Sequence, residues 1–114
     1  MPFIDAKVSV KLNEEKEKNI KERLGKAISL IPGKSEGWLM VGLEDEYCLY
    51  FKGNQDGATA FVKVDIYGGE NKAAFDKLTG EISTILYEEL SIPKDRIYVS
   101  YQTTAHWGWN GNNF

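Results

Sequence analysis

Few residues in this chain have the chemistry to act as catalysts, and the proline at position 2 leads them. Once Met1 is removed, Pro2 is the first residue and its nitrogen is a secondary amine instead of an amide. An α-amino group has a reference pKa of about 7.7–8.0, and burial or a nearby cation penalises its protonated form. The result is a free base at neutral pH, in the range where general-base catalysis works well. While Met1 is retained, the nitrogen is acylated and has no usable lone pair, so the base depends on processing.

Other catalytic chemistries are poorly supplied. His106 is the only histidine and Cys48 the only cysteine. A zinc site, an intrachain disulfide or a CxxC pair is therefore not expected, and neither is a metal or cofactor. Cys48 lies in the apolar run 47–51 and reads as a structural thiol, not a reactive one. No serine is framed by a nucleophile elbow or a phosphate loop. The acidic pairs Glu14-Glu15 and Glu88-Glu89 fit solvated helix faces. Gly68-Gly69-Glu70 fits a strand-to-helix turn better than an anion site.

The elements that must position Pro2 can be read from hydropathy patterning. Residues 3–10 alternate as a strand. Asn13 is a plausible helix N-cap, with Glu14 and Glu15 suited to the first turn. Ile20, Leu24, Ala27, Ile28 and Ile31 then form one apolar stripe on a helix of roughly five turns, which Pro32-Gly33 ends. Residues 38–43 are nearly continuous in apolar side chains and read as a strand buried on both sides. A shorter strand is expected over 48–51, followed by turn material at 53–57. Residues 60–67 form the next strand. A second helix carries Phe75, Leu78, Ile82, Ile85, Leu86 and Leu90 and ends at Ile92-Pro93, and residues 96–101 form the last long strand. The tail, 107–114, is aromatic with Gly and Asn between the rings.

Strand, helix and strand thus occur twice, with a period near 60 residues. Each unit is expected to be a right-handed crossover with parallel strands. The fold class is α+β: two β-α-β repeats forming a mixed four-stranded sheet with two helices on one face. The other face lacks a cover within the chain, so sister subunits are expected to supply it.

Length and composition agree with that architecture. The 114 residues make a single domain over 1–114. A content of 42% hydrophobic and 27% charged residues is globular, not disordered. A net charge of −3 excludes the concentrated basic surface of a typical nucleic-acid binder. Asp5, Lys7 and Lys11 interrupt any signal peptide, and no run approaches the ~20 apolar residues of a membrane span. No membrane partner is expected. The cytosol is the default location, and secretion by a leaderless route would leave no mark.

Pro2 at a strand start, Gly33-Lys34 after the first helix, the Gly68-Gly69 break, Asp95-Arg96-Ile97-Tyr98-Val99 and Gly108-Trp109-Asn110 with Phe114 form a recognisable set. Together they resemble the macrophage migration inhibitory factor family of the tautomerase superfamily, over the whole chain. The resemblance implies a homotrimer with three active sites at subunit interfaces. It implies that Pro2 moves a proton between carbon and oxygen of an aromatic α-keto acid such as phenylpyruvate. Lys34 would hold the substrate carboxylate and depress the proline pKa. Val64 matches a strand residue whose backbone contacts substrate, and Tyr98 a tyrosine supplied by the neighbouring subunit. Phe3, Trp107, Trp109 and Phe114 would line an aromatic pocket. Without the resemblance, Lys34 reads as a solvated turn lysine, Tyr98 as a core strand residue and the tail tryptophans as packing.

Three departures limit what the resemblance carries. Ser100 stands where vertebrate cytokine-type members have an asparagine, and its shorter hydroxyl alters recognition of a ring substituent. Asp56-Gly57-Ala58-Thr59 occupies the stretch matching the family's CxxC, so thiol–disulfide activity is not expected. Arg23 and Arg96 are the only arginines, and neither lies beside the proline as in the dehalogenase and decarboxylase branches. Two functions stay open at this point: a keto–enol tautomerase, or a cytokine-like protein that binds a cell-surface receptor.

Overall fold

The computed structural model describes all of residues 1–114. Four long strands and two helices follow in the order β1 (Pro2–Val8), α1 (Glu14–Ala27), β2 (Met40–Glu44), β3 (Ala60–Tyr67), α2 (Lys72–Leu90) and β4 (Ile97–Thr104). A small hairpin, β5 (Gly108–Trp109) and β6 (Asn112–Asn113), closes the chain. The sheet order is β2-β1-β3-β4. β1 pairs β2 in parallel, β3 pairs β4 in parallel, and the two units meet antiparallel through β1 and β3. The duplicated strand–helix–strand reading therefore holds.

Alternation along β1 and β3 turns every second residue to the helices. Ile4, Ala6, Val8, Val62, Val64 and Ile66 are buried there, against Ile20 and Leu24 of α1 and Leu78, Ile82 and Ile85 of α2. Both helices begin on an asparagine cap. Asn13 accepts a hydrogen bond from the Lys16 N–H at 2.7 Å, and Asn71 accepts one from Ala74 N–H at 3.1 Å. α1 runs for 14 residues, about four turns, and tightens into a 3-10 turn at Ile28–Leu30, so the helix is shorter than its apolar stripe suggests. On the outer face the helices are joined by Arg23, which reaches Glu88 at 2.6 Å and Glu89 at 3.2 Å.

Two expectations need correction. Trp38 sits in a 3-10 turn, Glu36–Trp38, and β2 starts at Met40. β2 is an edge strand, and in the single chain its face away from the helices, expected to be covered by sister subunits, is open: Met40 is 69% exposed. Hydropathy reports only that a surface is apolar, not what covers it. Residues 48–51 form no strand, since Phe51 makes just one bridge, to Asn54. Cys48 is exposed. Its apolar neighbours belong to a connection folded over the sheet's end, and Gln55 Nε2 donates to its Sγ at 3.3 Å.

Candidate active site at the N-terminal end of β1

The start of β1 lies against the end of β3, where Pro2 pairs with Ile66. Pro2 is buried on the helix side of the sheet. One residue further on, Tyr67 gathers the surrounding parts. Its N–H donates to the Met1 carbonyl at 3.1 Å, and its own carbonyl accepts from Lys34 Nζ at 2.7 Å. Lys34 follows the tight turn at Gly33, whose φ of 81° a side chain would strain. The turn thus brings a cation from the end of the first helical segment to the end of β3.

This placement acts on the chain's terminal amine. The Met1 ammonium is held below its ordinary value, first by burial and then by the charge of Lys34. The region therefore disfavours a protonated amine at the start of the chain.

Beside Lys34, Ile31, Pro32, Ile66, Gly68 and Gly69 line a cleft of about 240 Å³. That volume is below the roughly 300–1,000 Å³ of most ligand pockets. A single chain leaves the cleft open on one side.

The aromatic tail comes to the same end. Asn110 (φ 52°) and Gly111 (φ 85°) both take positive φ, the requirement of a two-residue hairpin between β5 and β6. Phe114 N–H donates to the Trp107 carbonyl at 3.0 Å. The hairpin sets Phe114 5.5 Å from Tyr67 and 6.3 Å from Trp109, centroid to centroid, and Trp109 meets Trp38 edge-on at 5.2 Å. These spacings are typical of aromatic clusters. Pro2, Lys34, Trp109 and Phe114 are thus brought to the same end of the sheet as Tyr67, and Trp107 is tied to Phe114 through the backbone.

Four other sequence candidates lie elsewhere. Phe3 points to the sheet face opposite Pro2, close over Gly42. Val64 is fully buried on the helix side, in register with Ile4 and Tyr101. Ser100 is on the open face opposite Lys63. Tyr98 pairs with Phe61, five residues along β3 from Ile66, which is roughly 16 Å at strand rise. It is 60% exposed, so it is not the core residue that a local reading suggests.

Sequence reasoning missed Tyr67 and Trp38. The first reads as the last residue of a strand and the second as the first residue of another. The only available signal was the position of Tyr67 directly before Gly68-Gly69.

A duplicated β-α-β sheet, with its first strand's N-terminus set beside a lysine and an aromatic tail, defines the structural class. Residues 1–114 match the family model of macrophage migration inhibitory factor (MIF). The crystal structure of MIF2 from Leishmania major is 34% identical, with a TM-score of 0.92 over 100% of this chain and 97% of that one. A homologue from Prochlorococcus marinus is 27% identical, with a TM-score of 0.87 over 98% of each chain. The protein from Toxoplasma gondii shares the fold at 23% identity, with a TM-score of 0.90 over 98% of this chain and 99% of that one. No curated protein matches at the same stringency. The chain belongs to the macrophage migration inhibitory factor family.

Proposed function

We propose that this protein is a keto–enol tautomerase of aromatic α-keto acids such as phenylpyruvate, with Pro2 as general base once Met1 is removed. The observation that carries the reading is the placement of Lys34, whose Nζ donates to the Tyr67 carbonyl, one residue beyond Ile66, the register partner of Pro2. The Lys34 ammonium serves two ends there. It keeps the neighbouring amine unprotonated, and it offers a partner for a substrate carboxylate. In enol formation the Pro2 nitrogen takes a proton from the carbon next to the keto group. The C–H electron pair becomes the C=C bond, and the carbonyl π pair moves onto oxygen. The Pro2 ammonium returns the proton to that oxygen, and ketone formation runs the same steps in reverse. Nothing is oxidised, and no cofactor is required.

The aromatic cluster of Trp38, Tyr67, Trp109 and Phe114 supplies apolar surface for the substrate's phenyl ring and keeps water from the amine. The missing wall of the cleft is supplied by a neighbouring subunit of a homotrimer, which brings its Tyr98 and Ser100 from the open sheet face. The exposure of Tyr98 and its distance from Pro2 within one chain support that arrangement.

The test is the phenylpyruvate tautomerisation rate of protein shown by intact mass to lack Met1, beside a Pro2→Gly variant. The trimmed protein should be active, and the variant should lose about 10²–10⁴-fold in kcat/KM, the worth of a positioned base. Trimmed protein with no activity on phenylpyruvate would refute the proposal.

A further inference from the structure

The connection between β2 and β3, residues 45–59, contains no helix or strand and is long for a link between neighbouring elements. Two side chains from outside it hold its second half: Ser9 Oγ accepts from the Thr59 N–H at 2.9 Å, and Arg96 reaches further into the connection. Arg96 Nε donates to Thr59 Oγ1 at 3.0 Å, Nη1 to Asn54 Oδ1 at 3.3 Å, and Nη2 to the Asn54 carbonyl at 3.4 Å. The fit is close, since a Cβ added at Gly57 would lie 3.2 Å from Arg96 Cδ. The same guanidinium lies 5.4 Å from the centre of the Phe51 ring, within cation–π range. Phe51 in turn meets the ring of Tyr98 edge-on, with centroids 5.2 Å apart and planes at 66°. A continuous series of contacts therefore runs from Arg96 through Phe51 to Tyr98.

We propose that Arg96 and Phe51 are positioning residues for Tyr98, and that they thereby set the preference for aromatic over aliphatic α-keto acids. The inference rests on the reading that Tyr98 completes a neighbouring subunit's pocket. Tyr98 is exposed on an open strand face, where its ring has several staggered positions available. Phe51 closes off one side of it, and Arg96 prevents Phe51 from leaving. A Tyr98 ring held this way is a fixed wall for a phenyl group and costs little ordering on binding. An aliphatic keto acid that ends short of that wall gains nothing from it.

The test compares kcat and KM for phenylpyruvate and for 2-oxobutanoate in trimmed wild type, Arg96→Lys, Phe51→Leu and Tyr98→Ala. Lysine keeps the charge but not the forked donors, and leucine keeps apolar bulk without the ring. Arg96→Lys and Phe51→Leu should each raise KM for phenylpyruvate about threefold to tenfold. KM for 2-oxobutanoate and the pH at which kcat rises should stay at wild-type values. Phe51→Leu added to Tyr98→Ala should have no further effect, because the two act as a unit.

The proposal is overturned, and the reading of Tyr98 kept, if Tyr98→Ala raises KM for phenylpyruvate while Phe51→Leu and a folded Arg96→Lys do not. It is also overturned if the two variants lower kcat for both substrates alike, which is what loosened structure alone would do. If Tyr98→Ala is silent in an active enzyme, the reading beneath it fails too.

Discussion

Replacing Lys34 with alanine removes the ammonium that the Tyr67 carbonyl holds at 2.7 Å, and with it two separable effects. The first is on substrate binding. Two unit charges about 3 Å apart attract by roughly 5–6 kcal/mol at an effective dielectric near 20, before desolvation is counted. A charged hydrogen bond nets about 1.5–3 kcal/mol after that cost. At about 1.4 kcal/mol per tenfold, KM for phenylpyruvate should rise roughly 10- to 150-fold.

The second effect is on the amine. Burial and then Lys34 hold the Met1 ammonium low. The amine of trimmed Pro2 starts the same strand near the same lysine, and without Lys34 its pKa should rise. The base then stays protonated to a higher pH, so the rise of kcat/KM with pH moves to higher pH. The loss of activity is accordingly larger at about pH 6 than at about pH 8.5. Losing the bond to Tyr67 should cost only about 1 kcal/mol, near 4 °C in Tm for a chain of this size. The assay is tautomerisation followed by ultraviolet absorbance across pH, with Tm measured on the same samples. A folded Lys34→Ala protein with KM within twofold of wild type and an unmoved pH profile would refute the assignment of both roles.

Three further outcomes are expected. Leu78 is fully buried between helix and sheet, so Leu78→Ala should cost about 2–5 kcal/mol and lower Tm by roughly 8–20 °C in a thermal melt. Burial works against the charge of Glu89, yet hydrogen bonds from Arg23 and Asn19 and the charge of Lys16 hold its carboxyl below the usual range. The resulting stability is present at neutral pH and is lost as pH falls through that lowered value. Arg23→Ala should therefore lower Tm by a few degrees at pH 7, for a loss of about 1 kcal/mol, and should narrow the difference from wild type in acid. Sedimentation equilibrium should return three times the chain mass of 12.9 kDa, and a monomer at micromolar concentration would rule out a shared pocket.

The fold was legible because its signals are local and repeated. The stripes at Ile20-Leu24-Ala27 and Leu78-Ile82-Ile85 have helical spacing, and the alternation over Ala60–Tyr67 has strand spacing. Errors fell where apolar character and burial part company. Residues 38–43 and 47–51 are as apolar as the core, but Trp38, Met40 and Tyr50 are exposed and Cys48 lies in an irregular connection.

The site divides in the same way. Lys34 and the tail are legible only through the family resemblance, since by themselves they read as a turn lysine and as packing. Tyr67 is not legible even then, since its role comes from hydrogen bonds to Met1 and Lys34, residues 66 and 33 positions away. Nor does any local pattern reveal Phe51 beside Tyr98, a contact that Arg96 organises across the chain.

The central claim concerns one nitrogen, and the most direct measurement compares the protein with and without Met1. Both forms should be prepared to a single intact mass, matched in fold by circular dichroism, and assayed on phenylpyruvate at neutral pH. With a free amine at Pro2, the trimmed form should turn over and the Met1-bearing form should be slower by about 10²–10⁴-fold. Equal rates per mole of chain would mean that the Pro2 nitrogen is not the base.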